Sequence, residues 1–148
     1  LNGLRKINNR RCPISEFHSV RCQLRTQYES SLLEGLKKIG YSPKVYDKAH
    51  SLFGYTGSER PQKAHIVIPR GQVGVASNDI GFLREEDGFY TIHVSEYDKE
   101  KWNKKFPELV KHYALDVVNK LVQSGPYQWE SQDIDKNGVT TIRLLVRD

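Results

Sequence analysis

Asn78-Asp79-Ile80-Gly81-Phe82-Leu83-Arg84-Glu85-Glu86-Asp87-Gly88-Phe89-Tyr90-Thr91-Ile92-His93-Val94-Ser95-Glu96-Tyr97-Asp98 decides how the chain folds. It reads as a β-hairpin, with one arm from Asp79 to Arg84 and the other from Phe89 to Glu96. Between them Glu85-Glu86-Asp87-Gly88 is a polar turn, and its Asp-Gly pair tolerates the positive φ that such turns need. In the second arm Tyr90, Ile92 and Val94 share a face against Thr91, His93 and Ser95. That period of two marks a strand with one buried face.

Outward from the hairpin, the pattern alternates between strands and two helices. Ile14 to Leu24 reads as a strand with Val20, Cys22 and Leu24 as its core set. A first helix runs from Tyr28 or Ser30 to Ile39, because Leu32, Leu33, Leu36 and Ile39 form one apolar stripe. Lys37 and Lys38 suit its C-terminal dipole, and Gly40 is placed to stop it. Tyr41 to Tyr46 is a short extended segment, Ala49 to Pro61 a loop, and Ala64 to Ile68 a strand ended by Pro69. Gly71 to Asn78 reads as a flexible connector. A second helix is expected from an Asp98 N-cap, broken into a short piece to Phe106 and a main piece from Pro107 to Ser124. Trp102, Phe106, Leu109, Val110, Tyr113, Val117 and Leu121 are its core stripe. A second hairpin pairs Tyr127 to Ile134 with Val139 to Val146 across an Asn137-Gly138 turn. There Ile142, Leu144 and Val146 face inward, while Thr141, Arg143 and Arg147 face out.

The order β-α-β-β-β-β-α-β-β predicts an α+β fold, a mostly antiparallel sheet covered on one face by two helices. The other face, bearing Thr91, His93, Arg143 and Arg147, is expected to stay open. Residues 1–14 read as a basic arm ahead of a single domain over 15–148.

The formal net charge is +5, and all of it lies in the first 25 residues, where six basic groups face one acid, Glu16. The rest of the chain has no net charge. A concentrated basic arm suits nucleic acid, an anionic lipid surface, an acidic protein patch, or solvent alone. No apolar run approaches the roughly 20 residues that span a bilayer. Cys22 reads as core-facing and Cys12 lies in the arm, so reduced thiols are expected, and neither has a second Cys or His at metal-ligand spacing for zinc. The chain contains no methionine, and its Asn-rich basic front suits either the remnant of a targeting segment or an arbitrary boundary.

Chemistry is sparse. Gly71-Gln72-Val73-Gly74 and Gly54-Tyr55-Thr56-Gly57 lack the Lys-Ser/Thr of a phosphate loop. The five histidines are scattered, and the acids at the hairpin tip are too exposed for a general acid. Asp79 is expected to accept backbone N–H groups of the preceding loop. These residues predict no enzyme, no cofactor and no metal. Partner binding is expected through Arg5, Lys6, Arg10, Arg11, Phe53, Tyr55, Arg143 and Arg147, since aromatic residues and arginine anchor interfaces.

Ser15-Glu16-Phe17, Leu52-Phe53-Gly54-Tyr55-Thr56-Gly57, Ser77-Asn78-Asp79-Ile80-Gly81-Phe82, Ser95-Glu96-Tyr97-Asp98, Tyr113-Ala114 and the closing Ile142-Arg143-Leu144-Leu145-Val146-Arg147 together resemble the Ycf-thirty-five family of cyanobacterial and algal-chloroplast proteins. The resemblance covers Ser15 to Asp148 and brings no catalytic residues. It implies a nucleus-encoded plastid protein whose transit peptide has been removed, placed on the stromal side. There it would be a non-enzymatic subunit or assembly factor of a large photosynthetic complex, a photosystem first of all, peripheral to the thylakoid membrane at most. An RNA or ribosome partner and an adaptor role for an AAA-type ATPase are the alternative expectations.

Overall fold

The computed structural model describes residues 17–137 and 139–146. The elements are β1 (Phe17–Arg25), a 3-10 turn (Thr26–Tyr28), α1 (Glu29–Lys38), β2 (Lys44–Phe53), β3 (Glu59–Ile68) and a one-turn α2 (Arg70–Val73). Then follow β4 (Ile80–Arg84), β5 (Phe89–Ser95), α3 (Lys99–Ser124), β6 (Tyr127–Ile134) and β7 (Thr140–Val146). The architecture is α+β, as the element pattern predicted.

The quoted hairpin is the middle of the main sheet. Five antiparallel strands run in the order β1-β5-β4-β3-β2. The turn closes with Glu85 N–H on the Phe89 carbonyl at 2.9 Å, and Gly88 takes φ +90°. Tyr90, Ile92 and Val94 are buried with Ile80 and Phe82 of β4 and Ile66 and Ile68 of β3. Leu32 and Leu36 of α1 and Trp102 and Leu109 of α3 close this core from above. Phe82 meets the edges of Tyr90 and Trp102, with ring centroids 6.2 and 5.9 Å apart, the geometry that the ring quadrupoles favour. The helices can approach because Gly35 has no side chain; a Cβ there would stand 2.9 Å from Leu109 Cδ1. Gly40 stops α1 at φ +98°, as its position predicts.

The expected loop from Ala49 to Pro61 is instead the distal half of a β2–β3 hairpin. Its physical signature is hidden by irregular pairing. Val45 pairs with Ile66 but His50 with Ala64, so β2 bulges, and register shifts again before Phe53 meets Glu59. Past the bulge the hairpin curls over the reverse face of the sheet. Ala64 and Leu52 lie against Gly81 of the central strand, and with Phe17 and Val67 they form a second small core. Where a Cβ would meet Ala64 Cβ and Leu52, only glycine lets this overhang lie flat.

The reverse face is therefore not open as expected. His93 is only 7% exposed, its Nδ1 is 2.7 Å from Ser19 Oγ, and its ring also engages the Lys63 carbonyl of the overhang. The expected connector from Gly71 to Asn78 also changes character: it contains α2, and Ser77 and Asn78 are buried. Two further expectations are corrected. α3 runs unbroken through Pro107, because Pro107 and Asn103, whose carbonyl loses its partner, are both exposed to water. Among the described residues the C-terminal hairpin joins no other strand; β6 and β7 form a separate two-stranded ribbon. Val20 and Cys22, expected in the core, have side chains outside the described residues, whereas Leu24 is buried.

Candidate functional site

The ribbon carries the most unusual surface. Tyr127 pairs with Val146, Trp129 with Leu144, Gln132 with Ile142 and Ile134 with Thr140. Directly opposite residues share a face, so Tyr127, Trp129, Ile134, Ile142, Leu144 and Val146 line one side, with Gln132 among them. Trp129 is 38%, Ile134 60% and Val146 69% exposed. A free two-stranded ribbon is marginal in water, and a contiguous exposed apolar patch marks an interaction surface. Arg143 lies on the other, polar side, paired with Ser131 and exposed. Leu145 is on that side too, and nothing in the structure explains it.

The second exposed pair from the sequence, Phe53 and Tyr55, sits at the distal end of the β2–β3 hairpin, 44% and 42% exposed. What positions them is a buried polar cluster that sequence reasoning largely missed. Asp79 Oδ2 accepts the Phe53 N–H at 2.8 Å, and Asp79 Oδ1 accepts the Arg70 N–H at 2.7 Å. Asn78 Oδ1 accepts the Tyr55 N–H at 2.8 Å. The Asn78 N–H, its Nδ2 and Ser95 Oγ all donate to Asp98 Oδ2. Asp79 does accept backbone N–H groups, but from Phe53 and Arg70 rather than from residues 71–78. Asp98 precedes α3 without capping it, since its carboxylate is turned into this cluster.

Beside the hairpin lies a cleft of about 250 Å³, lined among others by Lys44, Tyr46, His50, Phe53, Arg70 and Asp79. On the helix side, Arg84 grips Glu29 with Nε to Oε1 at 2.7 Å and Nη2 to Oε2 at 2.9 Å. Tyr90 Oη donates to Glu29 Oε1 at 2.7 Å. Burial pushes the Glu29 carboxyl upward, but the bonds from Arg84 and Tyr90 outweigh it and hold it below the ordinary range. His65 Nδ1 accepts the Arg84 N–H at 3.0 Å, so the neutral ring carries its proton on Nε2.

Arg5, Lys6, Arg10, Arg11 and Arg147 lie outside the described residues. Phe53 ends β2 and Tyr55 lies in the turn that follows it, whereas Arg143 is on β7. No group of three or more His, Cys, Asp and Glu suited to a metal ion occurs among the described residues. Among those residues no helix is long and apolar enough to cross a membrane.

Comparison with curated proteins finds probable polyketide synthases of Dictyostelium discoideum. Polyketide synthase 33 is 24% identical over 109 residues, 67% of this chain and 4% of that protein. Polyketide synthase 34 is 23% identical over 138 residues, 87% of this chain and 4% of that protein. Polyketide synthase 29 is 27% identical over 103 residues, 63% of this chain and 3% of that protein. The chain thus spans about one twenty-fifth of the relatives it matches. These relatives are enzymes by name, which overturns the expectation that the chain is no enzyme. No solved structure matches. Residues 35–145 match the family described as "Protein of unknown function (DUF1257)". That match replaces the Ycf-thirty-five resemblance, whose short motifs include Asn78, Asp79, Ser95 and Asp98 of the buried cluster. Spanning most of the chain from α1 to β7, it shows that the protein belongs to the DUF1257 family.

Proposed function

We propose that this protein is a docking module of a larger protein assembly, seated against its neighbour through the apolar side of the β6–β7 ribbon. The observation that carries the reading is the exposure of Trp129, Ile134 and Val146 on one uncharged side of a ribbon that joins no other strand among the described residues. The relatives add support, since the aligned stretch is a small part of a much longer chain and has other protein attached to it. The exposed aromatics Phe53 and Tyr55 and the cationic front with Arg5, Lys6, Arg10 and Arg11 are secondary contacts of the same kind.

The test is co-purification from a mildly solubilised lysate, with partners identified by mass spectrometry. The native chain is expected to sediment with a large assembly, and a Trp129→Ser, Val146→Ser variant with the same fold is expected to sediment alone. A native chain that sediments alone, or a variant that stays with the assembly, overturns the reading. The identified partner also decides between a plastid photosystem, a ribosome or other RNA particle, an AAA-type ATPase and a large multienzyme.

A further inference from the structure

The cleft beside the hairpin lies apart from the ribbon, sharing only Phe53 with the secondary contacts, and its construction points to a ligand. It opens where β2 bulges. Val45 pairs with Ile66 and His50 with Ala64, so Tyr46 to Ala49 face a single residue of β3. Such bulges commonly re-aim side chains beside binding sites. The bulge is fastened: Arg84 Nη1 donates to the Tyr46 carbonyl at 3.2 Å while its other nitrogens hold Glu29. The Tyr46 and His50 rings stack, with centroids 3.7 Å apart and planes inclined by 16°. Phe53 adds a half-exposed ring.

Lys44 and Arg70 bring two positive charges to the same cleft. Arg70 Nη1 donates to the Tyr55 carbonyl at 3.1 Å, which directs the guanidinium. A guanidinium has five N–H donors, and this bond uses one. The cleft's carboxylate, Asp79, has both oxygens engaged by the Phe53 and Arg70 N–H groups. It is thereby committed to the backbone.

We propose that this cleft binds a small organic anion, a carboxylate or phosphate monoester carried on a flat ring. Arg70 and Lys44 take the anionic group through charge-assisted hydrogen bonds. Tyr46, His50 and Phe53 take the ring. A volume of about 250 Å³ lies just below the range of drug-sized sites, which limits the ligand to one ring system and its acid group.

Isothermal titration of the full chain at pH 7 with benzoate, phenyl phosphate and inorganic phosphate tests this. Saturable binding of benzoate or phenyl phosphate is expected, at least tenfold tighter than inorganic phosphate, which has no ring. The tighter of the two distinguishes a carboxylate head from a phosphate head. Arg70→Met is expected to weaken binding at least tenfold, while its backbone N–H keeps Asp79 satisfied and the unliganded melting temperature holds. Should that variant fail to fold, Lys44→Met supplies the same readout. Absence of saturable binding by either ringed anion overturns the proposal, as does inorganic phosphate binding equally well. Affinity unchanged in a folded cation variant does the same.

Discussion

Arg84 shows how much can hang on one side chain. It ends the central strand β4, yet it reaches Glu29 at the start of α1 and the Tyr46 carbonyl on the β2 bulge. Both side chains of the ion pair are about a quarter exposed, so solvent weakens but does not cancel the interaction. Glu29→Gln is expected to cost about 2 kcal/mol, the scale of a lost charge-assisted bond, read from urea midpoints at pH 7. Because the Glu29 carboxyl is held below its ordinary 4.5, its contribution is complete above that pH. It is lost as pH falls through the folded value, and the Gln variant is expected to show a shallower acid slope. The His93 ring behaves in the opposite chemical sense. Burial holds it below the ordinary 6.5 against the opposing pulls of Glu85 and the Lys63 carbonyl. Unfolding then takes up a proton, so stability is expected to decline as pH falls below 6.5, and His93→Gln is expected to reduce that slope. Unchanged slopes in these two variants would refute the assignments. None of this was legible in sequence: Glu29 and Arg84 stand 55 positions apart, and only the fold makes them neighbours.

The elements divide by how regular their pattern is. α1 and the β4–β5 hairpin were legible because each keeps one period from end to end and stops at a glycine with positive φ, Gly40 or Gly88. The β2–β3 hairpin was not, since two register shifts and Pro61 erase its alternation. Its course is enforced from elsewhere, by the missing side chain at Gly81. Gly81→Ala is expected to cost about 2 kcal/mol through overpacking against Ala64 and Leu52. Gly88→Ala meets no neighbour, so its cost of about 1 kcal/mol comes from the φ of +90° alone. Thermal melts distinguish the causes: in a Leu52→Ala background, itself less stable, Gly81→Ala is expected to cost less than in the native chain and Gly88→Ala the same. Equal effects would show that the overhang does not depend on that close approach.

At the scale of the molecule, a sheet with helices above and a folded-over hairpin below contrasts with a ribbon that, among the described residues, pairs only within itself. Amide exchange in the isolated protein is expected to be slowest in β4 and β5 and faster by orders of magnitude in β6 and β7. Equal protection would mean the ribbon is already stabilised without a partner. The sequence signalled the ribbon's turn and strands, but not its separation, because an alternating strand looks the same whether a core or water lies against its apolar side. The site was legible in the same uneven way. Phe53 and Tyr55 stood out as exposed aromatics, whereas the cleft beside them needed the bulge in three dimensions.

The chain has two tryptophans, and they fall on opposite sides of this divide: Trp102 is sealed at 3% exposure and Trp129 stands at 38%. The molecule therefore carries its own pair of optical reporters. Iodide quenches an indole it can reach, so the quenchable fraction of the emission belongs to Trp129 and should shrink when a neighbour settles on the ribbon. The emission of Trp102 should stay constant until the body itself melts, so a single unlabelled sample separates attachment from unfolding.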